Sequence, residues 1–384
     1  MSTQSEPSQR LVARGDLPER FLLTADHYTN PAWLPIARTR IFQRTWLYVG
    51  DGAQLSAGQV WVRQIAGQPV VITCVSSGEF KAFYNVCPHR ASLLCNQTGI
   101  HRQKHLVCPY HAWVYDLSGN LVAAPSQQKF SESFNQKTYS LTPIRIETWC
   151  GFLFVCFTDD APSLQTFLGS IPTHLGHHRQ KETRLLLSQR KRVACNWKNF
   201  HDNTLCDYHV AIAHRKTLHK VQGPIKHYEH HLETHTNLLR TPIPNSWSAI
   251  NSVRSDLPEL SRTAFLTYGI FPNLHLLGLP NGLLAWLHIE PLTTDTCELR
   301  SEVYGIPDLS PSIETLEADF EAFTQEDIAL TESVQKGYTS GTYHPGPVNQ
   351  LEARIVHQQQ LILNFLQLDE DIEEVRPILE SIPN

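Results

Sequence analysis

The sequence predicts an α+β protein: a β-rich first domain, then a larger domain in which an antiparallel sheet of helix-grip type carries helices. Three observations carry this. Short strand-like runs dominate to about residue 160, a Pro- and Gly-punctuated connector follows at 162–179, and the chain closes on two amphipathic helical patterns. The expected limits are 1–45 for an N-terminal segment and helix, 46–160 for the β-rich domain and 161–384 for the larger domain. A chain of 384 residues can bury a large core in two or three domains.

Taken in order, NPAWLPIARTRIFQRTWLYVG (30–50) has apolar residues at helical spacing and then turns strand-like. Strands follow at QVWVRQIAG, PVVITCVSS, FKAFYNVC, HLVCPYHAWVYDLSGNLVAAP and GFLFVCF, with turns at SSGEF and LSGN. PSLQTFLGSIPTHLGHHRQ reads as helix and connector. The second domain opens with the strand TRLLLSQRKRVAC and the helical stretch NWKNFHDNTLCDYHVAIAHRKTLH. Further strands are HYEHHLETHTN, TAFLTYGIFPNLHLLGLP, LLAWLHIEPL and CELRSEVYGI. SIETLEADFEAFTQEDIALTESVQKG and LEARIVHQQQLILNFLQ are the closing helices.

With 41% hydrophobic and 18% charged residues and a net charge of −5, the chain has no basic stripe to suit nucleic acid. No apolar run approaches the roughly 18 residues of a membrane helix, and the polar start MSTQSEPSQRLVARG lacks the apolar core of a signal peptide. A cytoplasmic location is expected. Nine cysteines, an odd number, argue for metal ligation rather than a disulfide framework.

NVCPHR and LVCPYHAW supply Cys87, His89, Cys108 and His111 as C-x-H, eighteen intervening residues, then C-x2-H. Two thiolates and two imidazoles at two loop tips can hold a metal centre between them. When two Cys bind one iron of a [2Fe-2S] cluster and two His the other, the histidines raise its potential. A structural zinc site uses the same ligand types, but its knuckles usually pair Cys with Cys and His with His, whereas each loop here brings one of each. CPHR with CPYHAW resembles the Rieske iron-sulfur motif.

More than two hundred residues lie beyond that domain. Within them NWKNFHDNTLCDYHVAIAH resembles the mononuclear iron segment of the Rieske non-heme iron oxygenases, and the resemblance extends to Trp46, TPIRIETWCGFLFVCF and the strands of the second half. It implies that His209 and His214 bind ferrous iron. Five residues turn an ideal helix by about 500°, leaving the two rings roughly 140° apart, so a distorted turn, such as a π-bulge, is expected between them. TQEDIALTESVQKGYTSGTYHPGP resembles the segment that carries the third ligand, which maps onto Asp327, with Glu326 as the neighbour in the other register. Two histidines and one carboxylate leave open positions on Fe(II) for O2.

The resemblance is strongest to α chains acting on small molecules, including choline-, betaine- and carnitine-type oxygenases. It implies an oxygenase component that takes electrons from NAD(P)H through a flavin/iron-sulfur reductase or ferredoxin, passes them from cluster to iron, and uses O2 to hydroxylate or oxidatively demethylate a small substrate. A homotrimer is implied, because cluster and iron that work together sit in neighbouring subunits. Aromatic ring dihydroxylation is the alternative within the family; a Rieske electron carrier without oxygenase turnover lies outside it.

The family places an acid three residues before the first iron histidine, bridging the two centres. Here that residue is Cys206, and a thiol of reference pKa near 8.5 is a poor substitute for a carboxylate. Asp207, adjacent and on the stripe of His214, is favoured for the bridging role, with Asp202, on nearly the face of His209, as the other acid. Elsewhere, HYEHHLETH alternates His and Glu on one expected strand face, read as solvated. Trp247, Tyr268, Phe271 and Trp286 are read as core.

Overall fold

The computed structural model describes residues 10–12 and 14–367. The chain divides into two compact units, Arg38–Leu164 and the rest of the described chain.

The smaller unit holds a seven-stranded sheet in the order Leu47–Asp51, Phe152–Cys156, Pro143–Trp149, Glu79–Tyr84, Gln68–Ser76, Gln59–Ile65, Gly99–Arg102. One of its two-residue hairpins joins Ile65 to Gln68 through Ala66 (φ 51°) and Gly67 (φ 77°). Two left-handed residues match the right-handed twist of the strands they connect. Leu106–Val107, Val114–Tyr115 and Leu121–Ala123 form a separate three-stranded sheet. Trp113, Tyr115, Phe83 and Val60 bury themselves around Cys87 and Cys108, so the two thiols lie inside an apolar core.

The larger unit is built on an eight-stranded antiparallel sheet: Arg10–Leu11, Glu229–Leu232, Thr236–Pro242, Ala264–Ile270, Leu274–Gly278, Leu284–Pro291, Cys297–Gly305, Arg184–Val193. All seven residues of Ala264–Ile270 are buried, as a central strand covered on both faces requires. The helix Ile313–Tyr338 packs against Trp197–Leu205 and the strand Arg184–Val193, and Ala353–Gln367 packs against Trp197–Leu205 and Glu229–Leu232. The α+β expectation is borne out. Trp247, Tyr268, Phe271 and Trp286 are indeed buried. Fully burying side chains of this size contributes on the order of 1.5–3 kcal/mol each.

Two readings change. HYEHHLETH is a strand only over Glu229–Leu232, and its expected solvated face is interrupted: Glu233 is buried, accepting from the Ser170 amide at 3.0 Å and the Thr236 hydroxyl at 2.7 Å. The stretch 196–219 is not one distorted helix. Trp197–Leu205 ends where Cys206 turns extended (φ −85°, ψ 111°), and a single turn, Val210–Ala213, restarts after His209.

Candidate metal centres

The first centre is assembled by two loops that share a backbone design. In each, the Cys amide donates to the carbonyl five residues on, from Cys87 to Ser92 at 2.8 Å and from Cys108 to Trp113 at 2.8 Å. In each, the Cys carbonyl accepts from the amide four residues on, Ala91 at 2.9 Å and Ala112 at 3.0 Å. Those two alanines are left-handed, with φ 57° and 54°. Closing so tight a loop forces that conformation, and Ala is the smallest side chain to bear it. Asn85 ties off the first loop from within the core: its Nδ2 donates to the Cys95 carbonyl at 2.7 Å and its Oδ1 accepts from the Cys95 amide at 3.0 Å.

The loops set the His89 and His111 rings edge to face, centroids 4.6 Å apart, and His89 stacks on Trp113 at 4.6 Å. Both Nδ1 atoms are buried without a protein partner. Two orphaned imidazole nitrogens beside two buried thiols are the donor set that a cluster with mixed ligation needs. Burial, His111 and Arg90 hold His89 below the ordinary imidazole range, which keeps it neutral and able to ligate. The Tyr115 hydroxyl lies 3.3 Å from Cys87 Sγ, and hydrogen bonds to such sulfurs raise a cluster's potential.

The second centre joins the broken helix to Ile313–Tyr338. The Asn196 side chain caps Trp197–Leu205 by accepting from the Lys198 amide at 3.0 Å. A Cβ on Gly269 would lie 2.4 Å from Leu205 Cδ2 and 2.6 Å from Asn237 Oδ1, so a bare glycine lets the helix end settle onto the sheet. His209 and His214 then flank the single turn, and their Nε2 atoms stand 3.1 Å apart. Asp327 Oδ1 lies 2.9 Å from His214 Nε2 and 3.5 Å from His209 Nε2. Among the described residues this is the one group of three or more His, Cys, Asp or Glu whose ligand atoms all lie within 4.8 Å of one another, close enough to share a single ion. Two imidazole nitrogens converging with a carboxylate oxygen make a cation the natural occupant, and the donor set suits Fe(II).

Asp327 is buried. Burial alone would raise its carboxyl, but His209, His214 and the Asn203 amide, which donates at 2.7 Å, together hold it below its ordinary value. Glu326 does not replace Asp327. It reaches the other edge of the same ring, Oε2 2.7 Å from His214 Nδ1, and accepts from the Thr217 hydroxyl at 2.6 Å.

The acids considered for the bridge are committed elsewhere. Asp207 Oδ2 lies 2.8 Å from His230 Nε2, and both of its carboxylate oxygens are 3.4 Å from Arg354 Nη1. Asp202 accepts from Tyr28 at 2.6 Å and Gln359 at 3.2 Å, and burial pushes its carboxyl up to about 7 despite those bonds. Neither hydrogen-bonds His209 or His214. The Cys206 thiol, pushed up to about 12 by burial, is neutral and lies 3.9 Å from Glu352 Oε1. Glu352, Arg354 and His230 carried no local sequence signal; Glu326 was visible only as the neighbour of Asp327.

A family model described as "Ring hydroxylating alpha subunit (catalytic domain)" matches residues 173–368, and one for the Rieske [2Fe-2S] domain matches 45–142. The chain belongs to the ring-hydroxylating α-subunit family. This α subunit is 28% identical over 337 residues to the carnitine monooxygenase oxygenase subunit of Escherichia coli (strain K12), covering 85% of this chain and 86% of that one. It is 27% identical over 370 residues to the glycine betaine monooxygenase oxygenase subunit of Chromohalobacter salexigens, covering 83% and 80%. Its fold matches the solved structure of a quaternary ammonium Rieske monooxygenase with a TM-score of 0.75 at 23% identity, covering 92% of this chain and 97% of that one. As a Rieske non-heme iron α subunit it is an oxidoreductase with a [2Fe-2S] cluster and a mononuclear iron. Among the described residues no helix is long and apolar enough to cross a membrane.

Proposed function

We propose that this α subunit uses O2 to hydroxylate or oxidatively demethylate a small quaternary amine, with Cys87, His89, Cys108 and His111 holding the Rieske cluster and His209, His214 and Asp327 holding Fe(II). The observation that carries the reading is the convergence of those last three side chains, with ligand atoms within 4.8 Å of one another. The carnitine and glycine betaine monooxygenase relatives support the substrate class. Electrons come from NAD(P)H through a flavin/iron-sulfur reductase or ferredoxin, in keeping with relatives named as oxygenase subunits. A homotrimer in the cytoplasm completes the reading, in keeping with the inter-subunit electron transfer of the solved quaternary ammonium monooxygenase.

Bound Fe(II) supplies the activation of O2. The chain's own side chains prepare it: Asp327 brings the negative charge, Asn203 fixes one carboxylate oxygen, and His209, 20% exposed, faces the outer edge of the site while His214 is enclosed. Monooxygenation consumes two electrons and two protons for each O2, one oxygen atom entering the product and the other leaving as water.

The electron path must reach His209 without a carboxylate at position 206. Asp207 is held by Arg354 and His230, so the bridging role passes to Glu352, whose Oε1 touches the Cys206 thiol. Glu352→Gln is expected to slow single-turnover oxidation of the pre-reduced cluster by about tenfold, the scale of a lost outer-sphere partner, and Cys206→Asp in that background to restore the rate. Equal rates in Glu352→Gln and parent would return the role to another group.

The reading as a whole is tested on anaerobically purified protein. Three irons and two acid-labile sulfides per chain, a Rieske signal on reduction, and oxidised product from L-carnitine or glycine betaine with a surrogate reductase are expected. Product only from an aromatic hydrocarbon would replace the substrate class; two irons that stay two after Fe(II) addition would remove the second centre.

A further inference from the structure

The two iron-side histidines are held very differently. Glu326 Oε2 lies 2.7 Å from His214 Nδ1, and the Thr217 hydroxyl donates to that same oxygen at 2.6 Å. Among the described residues His209 has no hydrogen-bond partner at Nδ1; its Nε2 meets His214 and Asp327. His214 is 1% exposed at its side chain, His209 20%.

Adjacent positions on a helix point about 100° apart and do not ordinarily meet one target. On Ile313–Tyr338, however, Asp327 reaches Nε2 and Glu326 reaches Nδ1 of a single ring. The His214 imidazole therefore lies across the helix edge with a carboxylate at each nitrogen. Both carboxylates only accept, so the ligand role decides the tautomer: a ring that presents its Nε2 lone pair to a metal beside Asp327 and His209 keeps its one N–H at Nδ1 and donates it to Glu326. Thr217 closes the arrangement locally. It sits three residues after His214, so the segment that carries the ring also carries the hydroxyl that aims Glu326.

We infer that Glu326 is a positioning residue that fixes the tautomer and orientation of His214 through Nδ1, making His214 the anchored iron ligand and His209 the adaptable one. The inference rests on the reading of His214 as a ligand. Glu326 is not itself a ligand: the hydrogen bonds its side chain accepts from His214 and Thr217 both end on Oε2, and the ring stands between it and Asp327. A carboxylate behind a ligating imidazole raises the basicity of the ligand, and removing such a partner typically weakens metal binding 10–100-fold.

The test uses the full chain with its cluster intact, stripped of mononuclear iron and titrated with Fe(II) against a competing chelator. Glu326→Ala is expected to weaken Fe(II) binding about 10–100-fold, with the Rieske spectrum and the thermal midpoint unchanged, because Glu326 is 32% exposed at its side chain. Glu326→Gln, which keeps a carbonyl acceptor without the charge, is expected to fall between the two, and so is Thr217→Val, which frees Glu326 but leaves it near the ring. Co(II) in place of Fe(II) adds a spectroscopic readout: the ligand-field bands should broaden in Glu326→Ala as His214 loses its single orientation. Parental Fe(II) affinity and sharp parental Co(II) bands in Glu326→Ala would overturn the inference. A parent protein that takes up no third iron would instead overturn the ligand reading beneath it.

Discussion

Asp327→Ala is expected to leave the Rieske spectrum intact and to lower product formation below about a thousandth of the parental rate, a loss of at least about 4 kcal/mol of transition-state stabilisation. The residue meets His209, His214 and Asn203 with a single oxygen, and nothing else among the described residues brings a carboxylate to the two Nε2 atoms. Without it, two neutral imidazoles remain, and hard Fe(II) is poorly retained by nitrogen alone. Asp327→Asn separates charge from shape: the amide preserves the packing against Asn203, so a comparable loss in both variants assigns the effect to charge. Iron analysis alongside the rate decides the matter. A variant that keeps its third iron and more than a tenth of the parental rate would remove Asp327 from the metal site.

The second large effect concerns stability. Arg354 is completely buried, and its guanidinium is met by Asp207 at 3.4 Å and by the Asn237 amide oxygen at 2.8 Å. Removing one partner of a buried pair strands the other charge in a medium that cannot solvate it, at a cost of about 3–5 kcal/mol. Arg354→Met and Asp207→Asn are each expected to lower stability by that amount in denaturant melts. The double variant should recover most of the loss, since a buried pair contributes little beyond a well-packed apolar replacement. Additive losses in the double variant would mean that the pair is not coupled. For Asp207→Asn the consequence is practical: a drop in turnover there reports a loosened fold before it reports a broken electron path.

The proposed cluster ligands are legible because each pair lies within three residues, so the chemistry is written locally in CPHR and CPYH. His209 and His214 were half legible. The distortion expected between them is absent: His209 and His214 flank one α-turn, in which the Ala213 and His214 amides donate to the His209 and Val210 carbonyls, and the chain leaves helical geometry before both, at Cys206. Asp327 looks like one acid of many on the charged run TQEDIALTES, and only resemblance picked it out; its burial comes from Asn203 and the two histidines, which lie 113 or more residues earlier. Long-range partners of that sort leave no periodic trace. The fate of Asp207 illustrates this best, because helical spacing pointed it at His214 while Arg354, 147 residues later, holds it away.

The segment Cys206–His209 is pinned from the far end of the described chain: the Asp207 amide donates to the Leu351 carbonyl at 3.0 Å, Cys206 touches Glu352, and Asp207 meets Arg354. During synthesis, therefore, both histidines leave the ribosome well before the backbone that fixes their spacing exists. Iron capture by this protein belongs at the end of folding, after Ala353–Gln367 has docked, and the mononuclear metal serves as a seal on a finished catalytic unit rather than as a nucleus for it.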